Sequence, residues 1–130
     1  MRPITLHFRI EPVPKGRPRV TRYATFTPKK TLVFEKEIAH LARTYYTKKP
    51  LEGHLAVLLK FYLKRGKTVK IQYPTVKPDI DNLIKSVLDP LNGIIWGDDS
   101  QIVEIAVSKR YETDKKPPGI ELTVLEGSED

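Results

Sequence analysis

Lys77-Pro-Asp-Ile-Asp-Asn-Leu-Ile-Lys-Ser-Val-Leu-Asp89, followed by Trp96-Gly-Asp-Asp-Ser100, is the stretch on which the fold turns. Pro78 favours an extended residue before it, and Asp81 stands where a helix begins. Leu83, Ile84, Val87, Leu88 and Leu91 then recur along one side of that helix. Pro90 calls for a distorted last turn or an early stop, and Asn92-Gly93 is a C-terminal signal. A turn at Gly97 leads into the next strand.

Working outward, Gln101–Tyr111 reads as a strand carrying Val103, Ile105 and Val107 on one face. Lys115-Lys-Pro-Pro-Gly119 is a turn, Ile120–Leu125 a last strand, and a short acidic tail follows. Upstream, the 54–63 segment alternates with Leu55, Val57, Leu59, Phe61 and Leu63 inward, and 64–76 is polar and irregular. A helix from about Thr31 carries Phe34, Ile38, Leu41, Ala42 and Tyr45 at helical spacing. The first strand, residues 4–10, alternates Ile4, Leu6, Phe8 and Ile10 with polar residues. Between them, prolines at 12, 14 and 18 break regular structure in a basic segment. The order β-α-β-α-β-β predicts an α+β fold, helices layered on a small mixed sheet.

The chain has 130 residues, a length that fits one domain spanning 1–130. It contains no cysteine, which excludes disulfides, thiolate metal sites and cysteine nucleophiles, and suits a cytoplasmic protein. No apolar run approaches a membrane span, and no signal peptide is expected. The net charge of +7 points to a polyanionic partner, nucleic acid foremost.

Against that charge, Asp79, Asp81, Asp89, Asp98 and Asp99 gather in a short span. Such crowding is costly unless a cation sits among the acids, and Mg²⁺ is the hard cation that prefers carboxylates, water and substrate phosphates. In extended chain, Asp79 and Asp81 share a face. Lys85, Asp89 and Asn92 fall on the helix side opposite the apolar stripe, and the turn before the last acids can return Asp98 and Asp99 to the same place. Phosphodiester hydrolysis needs activated water and positive charge against the phosphorus oxygens; metal ions held by carboxylates supply both, and a lysine can assist. Each acid has a plainer use. Asp79 or Asp81 can cap a helix, Lys85 can pair with Asp81 and Asp89, Asp98 and Asp99 can be turn residues, and Asp89 can simply face solvent.

At these residues the sequence resembles the RusA family of Holliday junction resolvases. The matching elements are Lys77-Pro-Asp-Ile-Asp-Asn-Leu-Ile-Lys85, Val87-Leu-Asp-Pro-Leu-Asn-Gly-Ile-Ile-Trp96 and Asp98-Asp-Ser-Gln-Ile-Val103, with likeness also in Pro14-Lys-Gly-Arg-Pro-Arg19 and Tyr23-Ala-Thr-Phe-Thr-Pro-Lys-Lys-Thr31. The resemblance implies a Mg²⁺-dependent endonuclease for four-way DNA junctions, a homodimer, and a two-layer α+β sandwich. It implies Asp79, Asp81 and Asp99 as the essential acids and Lys85 as the catalytic lysine, with Asp98 adjacent as a further metal ligand.

Lys15, Arg17, Arg19, Arg22, Lys29, Lys30 and Lys77 are candidate DNA contacts, or else a solvated basic face. Tyr23 and Phe26 are candidates to stack at a branch point; the plainer expectation for Phe26 is a loop anchor packed on the core. Trp96 is expected in the core or a lid, positioning Asp98 and Asp99, with stacking on a base as the alternative. His7, His40 and His54 are scattered and are assigned no ligand or catalytic role. Two alternatives stand beside junction resolution: a metal-dependent nuclease for flaps or other branched DNA, and a basic binding module whose acids are caps and turns.

Overall fold

The computed structural model describes residues 2–127. The acidic tail expected beyond residue 125 lies, from residue 128 onward, outside the described residues. The elements run β1 (Ile4–Phe8), β2 (Arg19–Val20), β3 (Thr25–Phe26), α1 (Lys29–Tyr45), β4 (Leu55–Leu63), α2 (Ile80–Leu91), a 3₁₀ turn (Asp99–Gln101), β5 (Ile102–Tyr111) and β6 (Gly119–Glu126). Four strands form a mixed sheet in the order β1-β6-β4-β5, and β2 and β3 form a separate two-stranded sheet. β4 and β5 run parallel, while β6 is antiparallel to both β1 and β4. The α+β expectation is met.

Alternation explains how the layers close. Leu55, Val57, Leu59, Phe61 and Leu63 of β4 are buried, with Leu6 and Phe8 of β1 and Ile120, Leu122 and Val124 of β6 beside them. Phe34, Ile38 and Ala42 of α1 and Leu83, Val87 and Leu91 of α2 complete the same cluster. The stripe of α1 continues to Tyr46, not to Tyr45 as its spacing suggested: Tyr45 is half exposed, while Tyr46 is buried and donates to Lys49 O at 2.7 Å. Successive steps of four carry the buried line from Phe34 through Ile38 and Ala42 to residue 46.

Helix α2 keeps Pro90 inside its last turn and ends at Leu91, with Asn92 as its C-cap and Gly93 at φ 80°. That left-handed position is one a side chain would strain, which is why Asn-Gly works there. Ile94 N and Ile95 N both donate to Leu91 O, turning the chain back into the core. Trp96 is fully buried and its indole N–H donates to Asn92 Oδ1 at 2.8 Å.

Two features depart from the sequence reading. The segment read as irregular holds the β2–β3 hairpin, and Phe26 in it is 49% exposed and no core anchor. Val103 and Ile105, the apolar residues of the strand read at Gln101–Tyr111, are 68% and 42% exposed. Their strand is an edge of the sheet, and this stretch of it is exposed.

Candidate active site and nucleic-acid interface

The loop entering α2 is strapped to the sheet. Lys109, near the end of β5, donates its ammonium to Val76 O at 2.6 Å and Pro78 O at 2.9 Å. The Lys77–Pro78 peptide is cis. Asp79 follows in the cap position of α2, and its carbonyl accepts from Leu83 N. Its carboxylate makes no capping bond, so the plainest use of an Asp there does not apply. Asp81 sits in the first turn of α2, where its charge suits the helix dipole. Lys85, one turn on, is exposed on the same side and forms no ion pair among the described residues. Asp79 borders a cleft of about 570 Å³, shared with Glu11, Lys15, Lys77, Asn82 and Tyr111.

Asp89 is not part of this group. Its carboxylate lies 3.1 Å from Lys15 Nζ, which donates also to Glu35 at 2.8 Å. Burial alone lowers the Lys15 ammonium, but the bonds to Glu35 and Asp89 outweigh it and hold the lysine above its ordinary 10.5. Lys15 therefore works as a clasp joining its own loop to α1 and α2, and its charge is already matched.

The remaining acids stand elsewhere. Asp98 accepts from Ser100 N at 3.1 Å, and its own N–H donates to Gln101 Oε1 at 2.9 Å, a reciprocal capping box on the 3₁₀ turn. The bonds from Ser100 hold the Asp98 carboxyl below its usual range. Asp99 opens that turn, before β5 begins, and Gln101 ties the turn down by donating to Leu51 O and Gly53 O.

Distance separates the two acidic groups within one chain. Ile102 to Lys109 spans about 23 Å of strand at 3.3 Å per residue, and Asp79 lies by the Lys109 end while Asp99 lies before the Ile102 end. Helix α2, about 18 Å long at 1.5 Å per residue, separates them independently. Among the described residues no three carboxylates or histidines of one chain are grouped to hold a metal. The turn after Gly97 does not return Asp98 and Asp99 to the Asp79–Asp81 pair, because it feeds a strand that runs back along the full length of α2. The pair alone suits Mg²⁺ chemically: that ion keeps several waters and is commonly bound by one or two carboxylates plus substrate phosphate.

The segment rooted on the first turn of α2 is cationic. From Pro12 to Phe34 the chain holds Lys15, Arg17, Arg19, Arg22, Lys29 and Lys30 and no acid. Arg17, Arg19, Arg22, Lys29, Lys30 and Lys77 are all exposed. Lys29 and Lys30 occupy the first turn of α1, which contains no acid, against the preference of the helix dipole. The roles of Glu35, Asp89 and Lys109 left no sequence signal, since each depends on a partner remote in the chain.

Among known proteins, the chain is similar to an uncharacterized protein, YqaN, of Bacillus subtilis (strain 168), at 32% identity over 91% of this chain and 92% of the relative. The family model described as endodeoxyribonuclease RusA matches residues 9–125, taking in both acidic groups, the basic segment and both helices. This chain belongs to the RusA family of endodeoxyribonucleases.

Proposed function

We propose that the protein is a Mg²⁺-dependent endonuclease that resolves four-way DNA junctions as a C₂ homodimer in the cytoplasm, one RusA-like domain per subunit. The observation that carries this reading is the pair Asp79–Asp81, with the Asp79 carboxylate unused by its helix, standing at the opposite end of exposed edge strand β5 from Asp99. Antiparallel pairing of β5 with the same strand of a second copy brings the Asp99 end of one against the Lys109 end of the other. The free stretch Val103–Ala106 supports that contact, with its apolar Val103 and Ile105. A junction has approximate twofold symmetry, and a C₂ dimer presents two matched sites to it.

In this reading Asp79 and Asp81 of one subunit hold the ion, and Asp99 of the other closes the site, its turn braced by the Asp98 cap. The bound ion supplies Lewis-acid polarisation of the scissile phosphate and an activated water. Lys85 neutralises charge that develops on the phosphate oxygens. Arg17, Arg19, Arg22, Lys29, Lys30 and Lys77 hold flanking phosphates, while Lys15 serves the fold.

The test compares cleavage of a four-way junction, a flap and a plain duplex of matched sequence, with Mg²⁺ and with chelator. Paired nicks on opposing junction strands are expected, with Asp81→Asn binding the junction without cutting it. Equal cutting of the flap moves the reading to other branched DNA. Binding with no metal-dependent cleavage of any substrate overturns it.

A further inference from the structure

Residues 17–26 are exposed at every position, so the β2–β3 hairpin projects from the body of the protein. Its tip is Arg22-Tyr23, in a turn closed by Thr21 N donating to Ala24 O at 2.7 Å. The Thr21 hydroxyl accepts from Tyr23 N and Ala24 N and donates to Ala24 O, so the turn is ordered from within. Tyr23 is 88% exposed, and the Arg22 guanidinium stands 5.9 Å from its ring centroid. Val20 and Phe26 add further exposed apolar surface.

The root of the hairpin is as fixed as its tip is bare. Lys15 N donates to Asn82 O at 2.9 Å, on the first turn of α2 and next to Asp81. Gly16 N donates to the buried Thr31 hydroxyl at 3.0 Å. A Cβ on Gly16 would stand 2.9 Å from both Pro28 and Thr31, so glycine is what lets the chain pass here. The Lys15 clasp to Glu35 and Asp89 adds a third anchor. A rigid root beside the acids thus supports an aromatic tip flanked by Arg17, Arg19 and Arg22.

We propose that this hairpin is a base-stacking finger: Tyr23 at its tip stacks on a nucleobase left unpaired or unstacked at the branch of the DNA, and Phe26 with the flanking arginines holds the strand leading to it. The assignment rests on the reading of the chain as a nuclease for branched DNA. Its chemistry is that of single-strand recognition, in which aromatic faces take bases irrespective of sequence and arginines follow the phosphates. Intact duplex offers no free base face, so the finger confers preference for discontinuous DNA. Its root on α2 relates that base to the phosphate facing Asp79 and Asp81. Lys15 is here a positioning residue.

The test places 2-aminopurine at the branch of a four-way junction and, separately, within a duplex, and binds each with Asp81→Asn protein so that no cleavage intervenes. Fluorescence and affinity are read for that protein alone and with Tyr23→Ala or Tyr23→Phe added. Tyr23→Ala is expected to weaken junction binding about 5- to 150-fold, the range of one lost base stack. It should also remove the fluorescence change at the branch and leave duplex binding nearly unaltered. Tyr23→Phe should behave as its parent, and since Tyr23 is 88% exposed, circular dichroism should be common to all. Equal loss on junction and duplex, or a branch signal unmoved by Tyr23→Ala, overturns the finger even if the enzyme cuts junctions normally. A Tyr23-dependent branch signal supports it even if no cleavage is found and the nuclease reading falls.

Discussion

Asp79 and Asp98 both occupy cap positions, yet only Asp98 spends its carboxylate on the backbone. Asp98→Ala is therefore expected to lower the melting temperature, and Asp79→Asn to leave it nearly unchanged while abolishing metal-dependent cleavage; thermal melts and junction assays on both variants check this. The lowered Asp98 carboxyl gives a contribution present above the unfolded carboxylate range and lost as pH falls through the folded value. Lys15 has the opposite sign. Its pKa is raised above 10.5, so its stabilisation is complete below that pH and is lost as pH climbs through the folded value. Lys15→Met should cost about 1.5–3 kcal/mol near neutrality, as for hydrogen bonds to charged groups. Above pH 10.5 the melting temperature of the parent should fall faster than that of the variant, closing the gap. The sequence offered every residue of this clasp but not the clasp, since Lys15, Glu35 and Asp89 lie on three elements whose docking only tertiary packing decides.

At the scale of elements, β4, β6 and both helices were legible because each carries a buried face with a clean period. The β2–β3 hairpin was not. Its two-residue strands lie downstream of three prolines, and its order comes from the Thr21 turn, a local hydrogen-bond pattern without periodicity. Replacing Arg17 and Arg19 by Gln should reduce the salt dependence of junction binding by about 1.8 in log–log slope, at 0.9 per phosphate contact on duplex arms. Titrations at several salt concentrations measure it. The β5 edge makes a separate prediction. Ile105→Lys places a charge on the exposed stretch of an edge strand, where it opposes pairing with a second chain. Sedimentation should then show monomers with unchanged circular dichroism and no paired cleavage; a dimer that still resolves junctions would refute β5 pairing.

For the whole molecule, the sequence supplied the list of acids but placed them in one chain, whereas the parallel β4–β5 pairing and the run of α2 hold Asp79–Asp81 and Asp99 apart. That separation yields a test by mixing. Asp81→Asn and Asp99→Asn subunits should each be inactive alone. In a shared-site dimer, combining them by refolding regenerates one intact centre per heterodimer, giving single nicks without paired resolution. If all ligands came from one chain, every heterodimer would stay inactive. In the proposed shared-site dimer, strand β5 acquires a metrical role: its ten residues would set the gap between the two cutting centres, as the span of a caliper sets what it measures. A homologue with a longer strand at this edge would then cut its two target strands at positions farther apart, and the offset between nicks would be written in the length of that strand.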